Sequence, residues 1–201
     1  MSPLHELRQL LPDRPLTATE AYVLAERQAM LLLRLSNISE APVPSQAISG
    51  LPFVKVAVRV PMGSSGATRW IKPHWVVLLN GLEPPTRQRF SLAHEFKHIL
   101  DHKTGAGSLR SLPVNPAARR RTEQLCDYFA GCLLMPRPWV KAAYASGIQD
   151  IGELAQHFEV SQQAMQVRLL QLGLVDPYAR CGGMDNAYLR SRPVSSLELA
   201  A

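Results

Sequence analysis

Cysteine is scarce in this chain of 201 residues: there are three, Cys126, Cys132 and Cys181. They make no disulfide framework, and the first two, on one expected helix, point in different directions. Such usage suits a reducing compartment, and a cytoplasmic location is expected. No stretch approaches the ~20 apolar residues of a membrane span. The first residues, Met1 to Arg8, also lack a basic segment followed by an uninterrupted apolar run. A soluble protein with no membrane partner is expected. Positive charge, by contrast, is in excess, with a formal net charge of +6. Residues 150–201 hold four arginines against six acids, so the first 149 carry +8 and the basic surface belongs to them. At 46% hydrophobic, the chain is long enough for one sizeable core.

The stretch with the most specific chemistry is His94-Glu95-Phe96-Lys97-His98. On a helix, His94 and His98 stand one turn apart on one face, as two ligands of a single metal ion must. Neutral imidazole nitrogens bind Zn²⁺ at about 2.0–2.1 Å, a third protein ligand completes the set, and the open fourth position takes a water. Glu95 is placed to reach that water without occupying the metal. Downstream, residues 122–135 have apolar positions at helical spacing, and Pro136 closes them. Glu123 and Asp127 are four apart on that second helix and share a face. Glu123 is the expected third ligand, and Asp127 the carboxylate that accepts the free ring N–H of a histidine. Cys126 is a possible competing ligand, but packing between the helices is the expected role of a small buried thiol.

These two segments, Arg89 to His102 and Glu123 to Asp127 followed by Phe129-Ala130 and Leu133 to Pro136, resemble the ImmA/IrrE family of zinc metallopeptidases. The resemblance extends from about Val43 to Leu174. Departures are Lys97 where the family usually has glycine, Leu125 where a second acid is common, Cys126 for alanine and Asp127 for asparagine. None removes a ligand or the general base, and Lys97 can pair with Asp101 one turn on. The resemblance implies a metalloendopeptidase that uses Zn²⁺, with Mn²⁺ as the alternative. It also implies a protein substrate: a helix-turn-helix transcriptional repressor, cleaved at one site to relieve repression.

The rest of the chain supplies a frame for that site. Thr17 and Glu20 read as a capping box opening a helix to about Leu35, and residues 43–48 as a short helical lead-in. Residues 53–60, 67–72 and 75–80 are rich in β-branched residues and read as three strands. Thr86 is the expected N-cap of the metal helix, which ends near residues 103–105. Residues 106–115 read as a loop, and Arg119 to Arg121 open the next helix against its macrodipole. A helix over 139–146 follows, and residues 150–174 have the form of a helix-turn-helix, with Ser161 capping its second helix and Gly173 stopping it. That segment is net acidic and its second helix carries one arginine, Arg168, so a structural or protein-docking role is favoured over DNA reading.

The expected fold class is α+β: a small N-terminal β-sheet packed on a helical metallopeptidase core, with the His-Glu-x-x-His helix and a second ligand helix, then a helix-turn-helix-like C-terminal segment. The expected divisions are a metallopeptidase domain over 1–146, the helix-turn-helix-like segment over 147–176 packed on the core, and a weakly ordered tail over 177–201. Two alternatives come from other classes: a repressor-binding antirepressor that does not cut, and a DNA-binding regulator acting through residues 150–174. Tyr128, His74 and His102 are the candidates for a second oxyanion donor.

Overall fold

The computed structural model describes residues 2–102 and 115–176. The expected tail, Cys181 and nearly all of the expected loop at 106–115 lie outside the described residues.

The fold is α+β. Its first long element, α2 (Ala18–Leu35), begins where the sequence says it should. The Thr17 side chain accepts from the Glu20 backbone N–H, and the Glu20 carboxylate accepts from the Thr17 N–H, so two otherwise orphaned donors are satisfied. Before it, α1 (Pro3–Gln9) buries Leu7 against α2. The short helix α3 (Gln46–Ser49) leads into β1 (Val54–Arg59), β2 (Gly66–Ile71) and β3 (His74–Asn80). Strand order is β1-β3-β2, with β1 parallel and β2 antiparallel to the central β3. Along β3, Trp75, Val77 and Leu79 are buried and alternate with half-buried His74, Val76 and Leu78. This period of two gives the sheet one covered face, packed on α4 (Pro85–Asp101), and one more open face.

Helix α4 is the axis of the molecule. Phe96, Ile99 and Leu100 are fully buried, and α4 packs against α5 (Pro116–Leu134) as well as β2 and β3. Its first turn is set by Pro84 at the N-cap and Pro85 at N1, where a missing N–H costs nothing. Thr86, the expected cap, lies one residue inside. Helix α5 starts a turn before the triple arginine, because the Asn115 side chain accepts from the Ala117 N–H and outweighs the unfavourable placement of Arg119 to Arg121. Three further helices follow: α6 (Arg137–Ala145), α7 (Ile151–His157) and α8 (Gln162–Leu172). Asp150 and Ser161 cap α7 and α8, and Gly173 ends α8 at φ +67, a conformation that glycine adopts without strain. Leu154, Phe158 and Leu169 join the same apolar cluster as Phe96 and Phe129.

Arginines fasten distant segments to α4 and its neighbours. Arg89, in its second turn, donates through Nη1 to the Glu159 carboxylate and main-chain carbonyl and through Nη2 to the Val43 carbonyl. Arg8 donates to the Ile99 carbonyl at 2.6 Å. Arg168 is 1% exposed and donates through Nε to the Met135 carbonyl at 2.9 Å.

Candidate metal centre

The candidate centre lies between α4 and α5. His94 and His98 are one turn apart on α4, and their Nε2 atoms are 3.3 Å from each other. From α5, Glu123 Oε2 is 3.2 Å from His94 Nε2, and Glu123 Oε1 is 3.8 Å from His98 Nε2. The far sides of the two rings are also occupied. Asp127 Oδ1 is 2.8 Å from His94 Nδ1, and Cys126 Sγ is 3.7 Å from His98 Nδ1.

These contacts define which nitrogen faces the centre. With Nδ1–H of His94 donating to Asp127, its Nε2 presents a lone pair. His98 turns its Nδ1 to the Cys126 thiol, so the nitrogen it presents to the centre is likewise Nε2. Two ring nitrogens and a carboxylate oxygen therefore converge, the donor types that hold a divalent cation. A tetrahedron with bonds of about 2.0–2.1 Å has donor–donor edges of about 3.4 Å, close to the His94–His98 and His94–Glu123 separations, while the other Glu123 oxygen stands 3.8 Å from His98. The donor set fits a small divalent ion of the zinc class. A second grouping, His94, His98 and Cys126, also falls within reach of one ion. The geometry favours Glu123 over Cys126, because the thiol lies behind His98, at the nitrogen opposite the one that meets His94. Burial, reinforced by the Asp101 charge, pushes the Cys126 thiol up. Burial alone would lower His94, but the Asp127 hydrogen bond and the charges of Asp127, Glu95 and Glu123 outweigh it, and its pKa is raised.

Glu95 faces a different element. Its carboxylate lies against β2, where Thr68 Oγ1 donates to Oε2 at 2.7 Å. A Cβ built on Gly66 would stand 2.8 Å from Glu95 Cγ and 3.0 Å from Oε1, so the absence of a side chain at Gly66 makes room for this carboxylate. Sequence reasoning missed both β2 residues. The signal was weak: glycine and threonine at alternate positions of a short strand.

The three expected oxyanion candidates do not gather here. The Tyr128 hydroxyl donates to Glu26 on α2 at 3.3 Å. His74 lies on the open face of the sheet, by the alternation that buries Trp75. His102 packs its ring on Trp75, with centroids 4.7 Å apart. Lys97 faces away from the centre: its ammonium, 1% exposed as a residue, donates to Gln28 at 2.8 Å and Asp101 at 2.6 Å. The expected pairing with Asp101 is therefore present, and this departure from the family pattern leaves the centre untouched.

The fold thus sets a sheet edge beside a histidine-bearing helix, with a second, carboxylate-bearing helix across from it. The chain belongs to the ImmA/IrrE peptidase family, whose model for the IrrE N-terminal-like domain matches residues 38–170. Among curated proteins it is 35% identical over 95 residues to the radiation response metalloprotease IrrE of Deinococcus radiodurans, covering 44% of this chain and 28% of that one. Among solved structures it shares the fold of a Mycobacterium tuberculosis transcriptional regulator. The TM-score is 0.55 at 19% identity, over 85% of this chain and 52% of that chain. The chain thus spans well under two thirds of either relative. Family membership implies a metal cofactor.

Proposed function

We propose that this protein is a metal-dependent endopeptidase that cuts a protein substrate at a specific site. His94, His98 and Glu123 would hold the ion, Zn²⁺ with Mn²⁺ as the alternative. The observation that carries this reading is the convergence of both Nε2 atoms and the Glu123 carboxylate between α4 and α5, at separations of 3.2, 3.3 and 3.8 Å. When bound, the ion would polarise the scissile carbonyl and lower the pKa of a coordinated water towards about 7. Glu95 accepts the proton of the attacking water and returns it to the leaving amine. Thr68, by donating to Oε2, fixes the direction in which that carboxylate points. Asp127 holds His94 in the tautomer that leaves Nε2 free.

The substrate class comes from family resemblance: a helix-turn-helix transcriptional repressor whose cleavage relieves repression. The relative's description as a radiation response metalloprotease is compatible with regulatory cleavage. A role in DNA reading is disfavoured by one feature of α8, since its single arginine, Arg168, is buried and bonded to Met135. A DNA reader needs that charge at its surface. An antirepressor that captures without cutting would retain its effect in Glu95→Gln.

The test begins with metal content by elemental mass spectrometry. About one ion per chain is expected in wild type, and much less in Glu123→Ala. No uptake of Zn²⁺ or Mn²⁺ by the wild type would overturn the reading. With metal established, co-incubation with repressors encoded nearby should give a discrete product that Glu95→Gln does not form.

A further inference from the structure

We infer that Cys126 is a positioning residue for His98: its sulfur accepts the ring Nδ1–H and so holds Nε2 towards the ion. This rests on the metal-centre part of the proposed function and deepens it, but does not depend on what the loaded centre cuts.

Helix α5 is laid against α4 so that three of its residues reach the two histidines. Glu123, Cys126 and Asp127 stand at positions i, i+3 and i+4 of α5 and share the face turned to α4, where His94 and His98 are themselves four apart. Glu123 meets both Nε2 atoms, at 3.2 and 3.8 Å. Behind the rings, Asp127 Oδ1 stands 2.8 Å from Nδ1 of His94, and Cys126 Sγ 3.7 Å from Nδ1 of His98. Each histidine thus has its own outer partner, and the two partners are neighbours in sequence.

Such a partner is needed because an imidazole turns readily about its last side-chain bond, a torsion with two broad wells. Half a turn replaces the nitrogen facing the ion with a carbon. The restraint matters more for His98, whose side chain is 30% exposed against 17% for His94, so that packing confines it less. Cys126 makes a fixed post: it is fully buried and has a single side-chain torsion. Thiol sulfur is a weak acceptor, but it lies at the ring atom that must be held. Alanine, usual here in the family, offers no such atom.

The other use of Cys126 is as a ligand, since His94, His98 and Cys126 also fall within reach of one ion. The sulfur would have to come round the His98 ring to reach the point where both Nε2 atoms and Glu123 converge. As an outer partner it acts from where it stands. The two outer partners are unequal: a carboxylate is a charged acceptor and the stronger of the two, so His98 is the more loosely held ring.

The experiment uses the full chain, loaded with Co²⁺ for spectroscopy and with Zn²⁺ for affinity. In the proton NMR spectrum of the cobalt form, ring N–H groups of ligand histidines are shifted clear of the other signals and disappear in heavy water. Wild type should show one for His94 and one for His98. Cys126→Val, which closely matches the bulk and removes the acceptor, should lose the His98 signal to exchange with water, and Cys126→Ser should retain it. Zinc affinity, measured by competition with a chelator, should fall about tenfold in Cys126→Val and recover most of that in Cys126→Ser. Asp127→Ala should cost more, towards about a hundredfold. If Cys126→Val does not fold, Cys126→Ala takes its place, and the wild-type signals still decide. A single exchangeable ring signal in wild type, unchanged zinc affinity in Cys126→Val, or equal losses in the valine and serine variants would overturn the proposal. So would an intense thiolate-to-cobalt charge-transfer band in wild type, which would make Cys126 a ligand. No uptake of either ion would overturn the metal-centre reading together with this one. The expected signals and affinities without cleavage of any protein would support the role of Cys126 and sink the peptidase reading alone.

Discussion

At the scale of single residues, the candidate centre is divided between side chains that announce themselves and side chains that do not. That His94 and His98 stand side by side was legible because two histidines four apart on a helix are a local spacing, and that Glu123 and Asp127 share a face because they repeat that spacing on the next helix. Thr68 was not, since its contact with Glu95 depends on strand β2 meeting α4, a fact of tertiary register that no local pattern encodes. Thr68→Val removes the 2.7 Å donor while keeping the shape. We expect kcat to fall about five- to twentyfold with little change in KM, the cost of one hydrogen bond to a charged group. Thr68→Ser should restore most of the rate; equal rates for Val and Ser would show that the hydroxyl does not position Glu95. Cys126 was read correctly as a buried thiol, but its place behind His98 required knowing how α5 is rotated about its axis.

Among elements, the regular ones were legible and the short or proline-capped ones were less so. The capping box of α2, the three strands and the stop of α8 at Gly173 all follow rules that act within a few residues. Helix α1 was missed because its seven residues show a single buried apolar position, too few to display a period. The junction of α4 with α2 offers a direct test of packing. Lys97 is buried between them, and its ammonium is satisfied by Gln28 and Asp101. Asp101→Ala should destabilise by about 3 kcal/mol, because it leaves a buried charge with half its partners. Lys97→Met, which removes the charge and keeps the volume, should cost less than ~1 kcal/mol or even stabilise. Urea midpoints of the two variants measure the difference, and a larger loss in Lys97→Met would refute this account.

Over the whole molecule, α2, α5, α6 and α8 meet at one polar cluster. Glu26 accepts from Arg137 at 2.8 and 3.1 Å and from the Tyr128 hydroxyl, with Arg168 Nη2 3.9 Å away. Burial alone would raise the Glu26 carboxyl, yet Arg137, then the Arg168 charge and the Tyr128 hydroxyl, hold it below its ordinary 4.5. A carboxyl depressed by folding stabilises fully above its unfolded pKa, and that contribution is lost as pH falls through the lower folded value. Glu26→Gln should therefore be less stable than wild type at pH 7 by about 2 kcal/mol, with the gap closing below about pH 4. Urea titrations across that window check it; a gap that widens on acidification would contradict the assignment. Arg168→Ala strands the Met135 carbonyl and should cost about 2–4 kcal/mol in the same assay.

The clamp from Arg89 to Glu159 has a further consequence during synthesis. A chain leaves the ribosome amino end first, and the partner of Arg89 is made 70 residues after it. Glu123 and Asp127 likewise follow His94 by 29 and 33 residues. A nascent chain thus exposes its histidines before the helix that completes their surroundings exists, and although Val43 is already there to hold Arg89, the other half of that clamp waits for the residue just beyond α7. The surroundings of the two histidines are therefore complete only once α5 has been made.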